Sequence, residues 1–148
     1  MISPQGTDRS GNSRRRIVVK EIWDKEHAVL ETRELAAEAG FDKTGQALIA
    51  TAVSELATNI LRYAGRGELH LKILREKGRT GMEIIAADEG PGIADTMLAM
   101  QDHYSSQKGS LGLGLPSVKR IMDEFEITSH PGQGTHIRAR KWRGDGKS

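Results

Sequence analysis

Four short stretches of this chain hold the residue types that phosphoryl chemistry requires. Glu55 and Asn59 lie four residues apart, and Arg62 and Tyr63 follow. On a helix advancing 100° per residue, Glu55, Asn59 and Arg62 fall within roughly 60° of one another. A carboxylate, an amide and a guanidinium then line up along two turns. Magnesium takes oxygen ligands and keeps several waters, so one amide oxygen plus phosphates can hold it. Asn59 is the candidate for that oxygen. Glu55, one turn earlier, is the candidate base for an attacking hydroxyl, and Arg62 can pair with a phosphate oxygen.

The other three stretches are rich in glycine. Asp88-Glu89-Gly90-Pro91-Gly92 follows an apolar, strand-like run. A carboxylate only accepts hydrogen bonds, so Asp88 suits the exocyclic amine of adenine and repels the carbonyl of guanine. Gly90 and Gly92 let backbone come close to a base. Gly109-Ser110-Leu111-Gly112-Leu113-Gly114 precedes a helix that Pro116 helps to start. Free N–H groups at a helix start attract phosphate, and Lys108 stands beside them. Gly132-Gln133-Gly134-Thr135 leads into the final strand, where Thr135 can hydrogen-bond near Asp88 directly or through water. Singly, these stretches also fit a solvated helix face, a tight turn, a linker and a hairpin opening. In combination they describe a nucleotide pocket.

The elements that must position them follow from periodicity and punctuation. Ile17 to Trp23 reads as a strand. Asp24 can cap a helix that Gly40 stops, and Asp42 can cap a longer one running to about Ala64. On that second helix Ile49, Val53, Leu56 and Ile60 share the side that must face a sheet. Residues 69–74 and 82–87 read as strands, the latter apolar enough to lie mid-sheet. A short helical segment near residues 96–100 precedes a polar loop over 102–111. A helix from Pro116 to Phe125 and strands over 126–129 and 135–142 complete the order. It is not the alternating pattern of a Rossmann fold, and no Walker-type Gly-x-x-x-x-Gly-Lys occurs. It predicts an α+β two-layer sandwich: a mixed, mostly antiparallel sheet covered on one face by about three helices.

With 148 residues, 36% of them hydrophobic, the chain is expected to form one domain. Residues 1–13 read as a disordered arm, 14–142 as the domain and 143–148 as a tail. The 22 basic and 20 acidic residues leave a net charge of only +2, which gives no support for nucleic acid as a partner. Without cysteine there is no disulfide or thiolate metal site. The five histidines show no ligand spacing. No apolar run approaches the ~20 residues of a membrane span, so a cytoplasmic protein is expected.

The combined motifs resemble the GHKL ATPase/kinase superfamily with its Bergerat ATP-binding fold. Ser54-Glu55-Leu56-Ala57-Thr58-Asn59-Ile60-Leu61-Arg62-Tyr63-Ala64 looks like the N box. Asp88 to Ile93, Gly109 to Leu115 and Gly132 to Thr135 look like the three G boxes. Within the superfamily the chain is most similar to RsbT-type switch serine/threonine kinases of bacterial stressosomes. Gly112-Leu113-Gly114-Leu115-Pro116 and Lys119 to Phe125 carry that closer similarity.

The resemblance implies an ATP- and magnesium-dependent kinase with Glu55 as base and Asn59 on the metal. Arg62, Tyr63, Asp88, Gly90, Gly92, Ile93, Lys108, Gly109, Gly112, Leu113, Gly114, Leu115 and Thr135 would contact nucleotide. The implied partners are STAS-domain antagonist and scaffold proteins as substrates, and a PP2C-type phosphatase activated on release. An anti-sigma factor of the same fold and a non-catalytic, ATP-gated binding module are the alternatives. The anti-sigma-factor kinases carry an arginine just ahead of the second G box, where this chain has Gly109-Ser110-Leu111. That leaves Arg62 and Lys108 as candidates for the cation on the terminal phosphate.

Overall fold

The computed structural model describes residues 5–7, 13–91 and 114–144. The described elements are β1 (Gln5–Thr7), β2 (Ser13–Val19), α1 (Ile22–Glu38), α2 (Lys43–Asn59), a π-helical turn (Ile60–Ala64), β3 (Gly67–Glu76), β4 (Arg79–Asp88), α3 (Leu115–Ile121), β5 (Glu124–Ser129) and β6 (Thr135–Trp142). The sheet order is β1-β2-β3-β4-β6-β5. Every described pair is antiparallel, so the expected mixture of directions does not occur among these strands. β4 lies mid-sheet, between β3 and β6.

Alternation along the strands divides the sheet into two unlike faces. Ile17, Val19, Leu69, Leu71, Ile73, Met82, Ile84, Ala86, Ile137 and Ala139 are buried beneath the three described helices. The opposite face carries Arg16, Glu68, His70, Glu83, Arg138 and Arg140, which pair with one another or with acids nearby. Arg16 makes a two-pronged contact with Glu68, at 3.1 and 2.6 Å. Arg140 reaches Glu83 at 2.8 Å, and Glu83 is itself only 5% exposed.

Local chemistry explains where the helices begin and end. Asp42 caps α2 by accepting from the Gly45 N–H at 2.8 Å, as its position predicts. α1 starts at Ile22, two residues before the expected cap. Glu21 is the N-cap, and Asp24 is the third helical residue of a capping box, accepting from the Glu21 N–H at 2.9 Å. Trp23, expected at the end of a strand, therefore lies on α1 and is 65% exposed. Gln5–Thr7, inside the stretch expected to be disordered, pairs with β2 as a short edge strand. α3 stops at Ile121 rather than Phe125, and β5 begins two residues early at Glu124. There the Trp142 N–H donates to the Asp123 carboxylate at 2.7 Å, which holds the chain in the sheet.

The Arg16 pair gives the open face a pH dependence. Its hydrogen bond holds the Glu68 carboxyl below the ordinary range, with His70 adding to the effect. A carboxyl lowered on folding adds stability above its unfolded pKa of about 4.3, and that stability disappears as pH falls through the folded value. Thermal melts between about pH 5 and pH 3 should therefore fall less steeply for Glu68→Gln than for the native chain. Parallel curves would show that the pair contributes nothing.

Candidate functional site

The rotation of α2 is set by its apolar stripe. Ile49, Val53, Leu56 and Ile60 are all at most 2% exposed against the sheet. Asn59 is thereby turned into the seam between α2, β4 and α3. Both polar atoms of its carboxamide are buried, and neither hydrogen-bonds to a described residue. Leaving a buried polar group unpaired costs about 1–3 kcal/mol, so such an amide marks a place where something else binds.

A cavity of about 20 Å3 adjoins it. Leu56, Ile60, Ala86, Leu115 and Ile137 form apolar walls, and Asn59, Tyr63, Asp88 and Thr135 supply the polar groups.

Asp88 is the last residue of β4, with Gly67 on β3 and Thr135 on β6 as its register partners. One carboxylate oxygen, Oδ1, accepts from the Gly90 N–H at 2.9 Å, which fixes the side chain. Among the described residues, no hydrogen bond engages the other oxygen. Thr135 is held from behind by Ser129: the two hydroxyls are 2.8 Å apart, and Ser129 donates to the Gly134 carbonyl at 3.0 Å. Gly134 has φ +84°, and a Cβ there would stand 2.7 Å from Glu89 Cα and collide with the Asp88 backbone. Only glycine lets the β5–β6 turn press this closely on Asp88.

Glu55 is half-buried one turn before Asn59. No hydrogen bond or ion pair engages it among the described residues. Its carboxylate instead lies against the bare Cα of Gly114, the N-cap of α3. From the other side, Lys25 of α1 donates to the Thr58 hydroxyl at 3.3 Å, and Thr58 is the residue before Asn59. Half-buried Lys25 thus reaches the turn of α2 that follows Glu55.

A larger cavity of about 730 Å3 opens on the helix-free side of the same strand ends. It shares Asp88 and Thr135 with the smaller cavity, but Arg66, Glu68, Glu89 and His136 are among the residues that line it alone. It does not reach Asn59 or Glu55, so its size does not make it the reaction site.

The chain that places a buried asparagine beside an acid at a strand end matches one family over most of its length. Residues 24–141 fit the model described as a histidine kinase-like ATPase domain. This chain belongs to that family, the GHKL ATPases. It is 48% identical over 120 residues to serine/threonine-protein kinase RsbT of Bacillus subtilis (strain 168), covering 81% of this chain and 90% of that one. It is also 35% identical over 101 residues to an anti-sigma F factor of Caldanaerobacter subterraneus, covering 65% of this chain and 69% of the relative. A crystal structure of full-length ShkA in complex with AMPPNP shares the fold at TM-score 0.51 and 20% identity. The match spans 78% of this chain and 29% of ShkA.

The GHKL fold brings most of the described site residues together. Asn59, Tyr63, Asp88, Leu115 and Thr135 line one cavity, Gly90 secures Asp88, and Gly114 touches Glu55. Arg62 departs from expectation. The α-helix expected to reach Ala64 ends at Asn59, and the next turn is π-helical, with the Gly65 N–H donating to the Ile60 carbonyl at 2.8 Å. The wider turn breaks the i+7 alignment with Glu55 and leaves Arg62 exposed. Gly92, Ile93, Lys108, Gly109, Gly112 and Leu113 lie outside the described residues. Sequence reasoning missed Lys25 and Ser129, because each acts across elements far apart in the chain.

Replacing Gly134 by Ala should destabilise the protein by more than the ~1–2 kcal/mol of left-handed strain alone. Gly78→Ala is the control, since Gly78 has φ +79° and nothing within 4 Å of its would-be Cβ. Urea denaturation of the two variants checks this, and equal losses would show that Asp88 tolerates the added methyl.

Proposed function

We propose that this GHKL protein is an ATP-dependent serine/threonine-protein kinase that phosphorylates STAS-domain antagonist and scaffold proteins in a stressosome-type partner-switching pathway. One observation carries the reading: the buried carboxamide of Asn59, unpartnered and next to Asp88. An amide oxygen in that state fits a hydrated magnesium ion, which takes oxygen ligands and would neutralise charge on the triphosphate. The Asp88 oxygen that the Gly90 N–H leaves free fits the adenine amine, with Thr135 alongside.

The chemistry falls to Glu55. Its carboxylate accepts the proton of a substrate serine or threonine hydroxyl. The hydroxyl oxygen bonds to the terminal phosphorus, the bond to the bridging oxygen breaks, and ADP leaves. Lys25 and Lys108 are the candidate cations for the transferring phosphate, and Arg62 is the weaker candidate because the π turn leaves it exposed. Once its substrates carry phosphate, the kinase is released to activate a PP2C-type phosphatase, a docking role in the cytoplasm. The 48% identity to RsbT supports this reading. The anti-sigma F relatives favour a second reading, in which the protein also sequesters a sigma factor.

The deciding experiment mixes purified protein, MgATP and candidate STAS proteins and maps phosphates by mass spectrometry. Phosphoserine or phosphothreonine on a STAS protein is the expected result. Capture of a sigma factor with no transfer to any STAS protein would move the conclusion to the second reading.

Two substitutions divide the roles. Glu55→Gln should bind ATP as the native protein does and lose transfer, so undiminished transfer would remove the base assignment. Asp88→Asn should weaken ATP binding roughly 10- to 100-fold, the worth of a charged hydrogen bond. Calorimetric titration with ATP measures this, and unchanged affinity would remove Asp88 from the adenine subsite.

A further inference from the structure

Glu55 lacks what usually fixes a working carboxylate, because no described donor or cation pairs with it. What it does have is a steric neighbour. A Cβ built on Gly114 would overlap Glu55 Oε1 and stand 2.7 Å from its Cδ and 3.1 Å from its Cβ. Gly114 has φ +83° and ends its own hydrogen-bonding role at the backbone, where its carbonyl accepts from the Val118 N–H at 3.0 Å.

From this geometry we propose that Gly114 is a positioning residue for the phosphoryl-transfer base, acting by having no side chain. The inference rests on the kinase reading of Glu55. The missing Cβ leaves a slot at the start of α3, and the carboxylate occupies it. The backbone of α2 fixes one end of the Glu55 side chain, and the backbone of Gly114 bounds the other. The carboxylate is thus held by shape, and both of its oxygens keep their capacity to accept a proton. A hydrogen bond or ion pair could hold it equally well, but would occupy the lone pairs that a base must use.

The two nearest atoms that an added methyl meets, Oε1 and Cδ, belong to the end of a flexible side chain, and Cβ at 3.1 Å needs to give by only a few tenths of an ångström, so the fold can accept the methyl once Glu55 turns away. The loss then falls on catalysis rather than folding. Gly134 and Gly67 behave differently, since Cβ atoms there would meet backbone.

The test compares Gly114→Ala with Gly78→Ala, which carries the same kind of left-handed strain in open space. Transfer to the STAS substrate should show kcat reduced roughly 100-fold in Gly114→Ala, the effect expected of about 1 Å of misplacement, with KM for MgATP within about threefold of native. Its melting temperature should match that of Gly78→Ala. Glu55→Asp withdraws the carboxylate from the slot, so Gly114→Ala/Glu55→Asp should be no slower than Glu55→Asp alone. Native-like kcat in Gly114→Ala, or losses that multiply in the double variant, would overturn the proposal. A readout independent of activity is the 13C carboxyl signal of Glu55, assigned by its disappearance in Glu55→Gln. It should move in Gly114→Ala and stay in place in Gly78→Ala, and an unmoved signal in both would overturn the contact itself. If native protein transfers phosphate to no substrate, the kinase reading fails while the carbon signal still decides the positioning claim.

Discussion

Burying the Ile49–Val53–Leu56–Ile60 stripe fixes the one angle on which the site depends, the rotation of α2 about its axis. Each of these aliphatic side chains contributes about 1.5–3 kcal/mol on burial, so together they far exceed the ~1–3 kcal/mol cost of an unpaired amide. The helix cannot rotate to give Asn59 a hydrogen bond without exposing its core face. The core therefore enforces a local defect, and that defect is the polar group left available to a ligand. The same rotation turns Glu55 toward α3 and Thr58 toward Lys25.

The two faces of the sheet use their polar groups in opposite ways. On the open face, Arg16 and His70 share Glu68, and Arg140 is surrounded by Glu83, Glu76 and Glu124. Those groups satisfy one another, which is how charged residues behave when their task is to cover a sheet. Beneath the helices Arg15 pairs with Glu31 and Thr32 bonds to the Ala28 carbonyl, but the Asn59 carboxamide finds no partner among the described residues. That contrast separates the small cavity beside Asn59 from the larger groove rimmed by Arg66, Glu68 and Glu89. Unsatisfied chemistry, rather than empty volume, marks the side to which the proposed reaction is assigned.

Much of this was legible in the sequence because it rests on short-range rules. The cap at Asp42, the apolar period of α2 and the glycine-flanked acid at Asp88 each need only a few consecutive residues to be read. What was not legible depends on competition or distance. Glu21 displaced Asp24 as N-cap because the two form a reciprocal pair, and a single-residue rule scores only one of them. The π turn after Asn59 has no clear composition signal, yet it decides that Tyr63 lines the cavity while Arg62 does not. Lys25 enters only when α1 packs beside α2 and Thr58, and Ser129 only when β5 pairs with β6 and Thr135.

On the proposed reading two carboxylates serve one site, and their surroundings divide the labour between them. Asp88 spends one oxygen on the Gly90 N–H, so its plane is fixed and its other oxygen points in one direction. That suits recognition, where a single acceptor must meet a single amine. No described residue engages either oxygen of Glu55, which is bounded by the shape of its slot. That suits proton transfer, where a lone pair must be open when the hydroxyl arrives. Exchanging the two environments would give a reader too loose to choose adenine and a base with half its acceptor capacity already occupied. The glycines at 90 and 114 look alike in sequence, but one acts by donating its N–H and the other by leaving room.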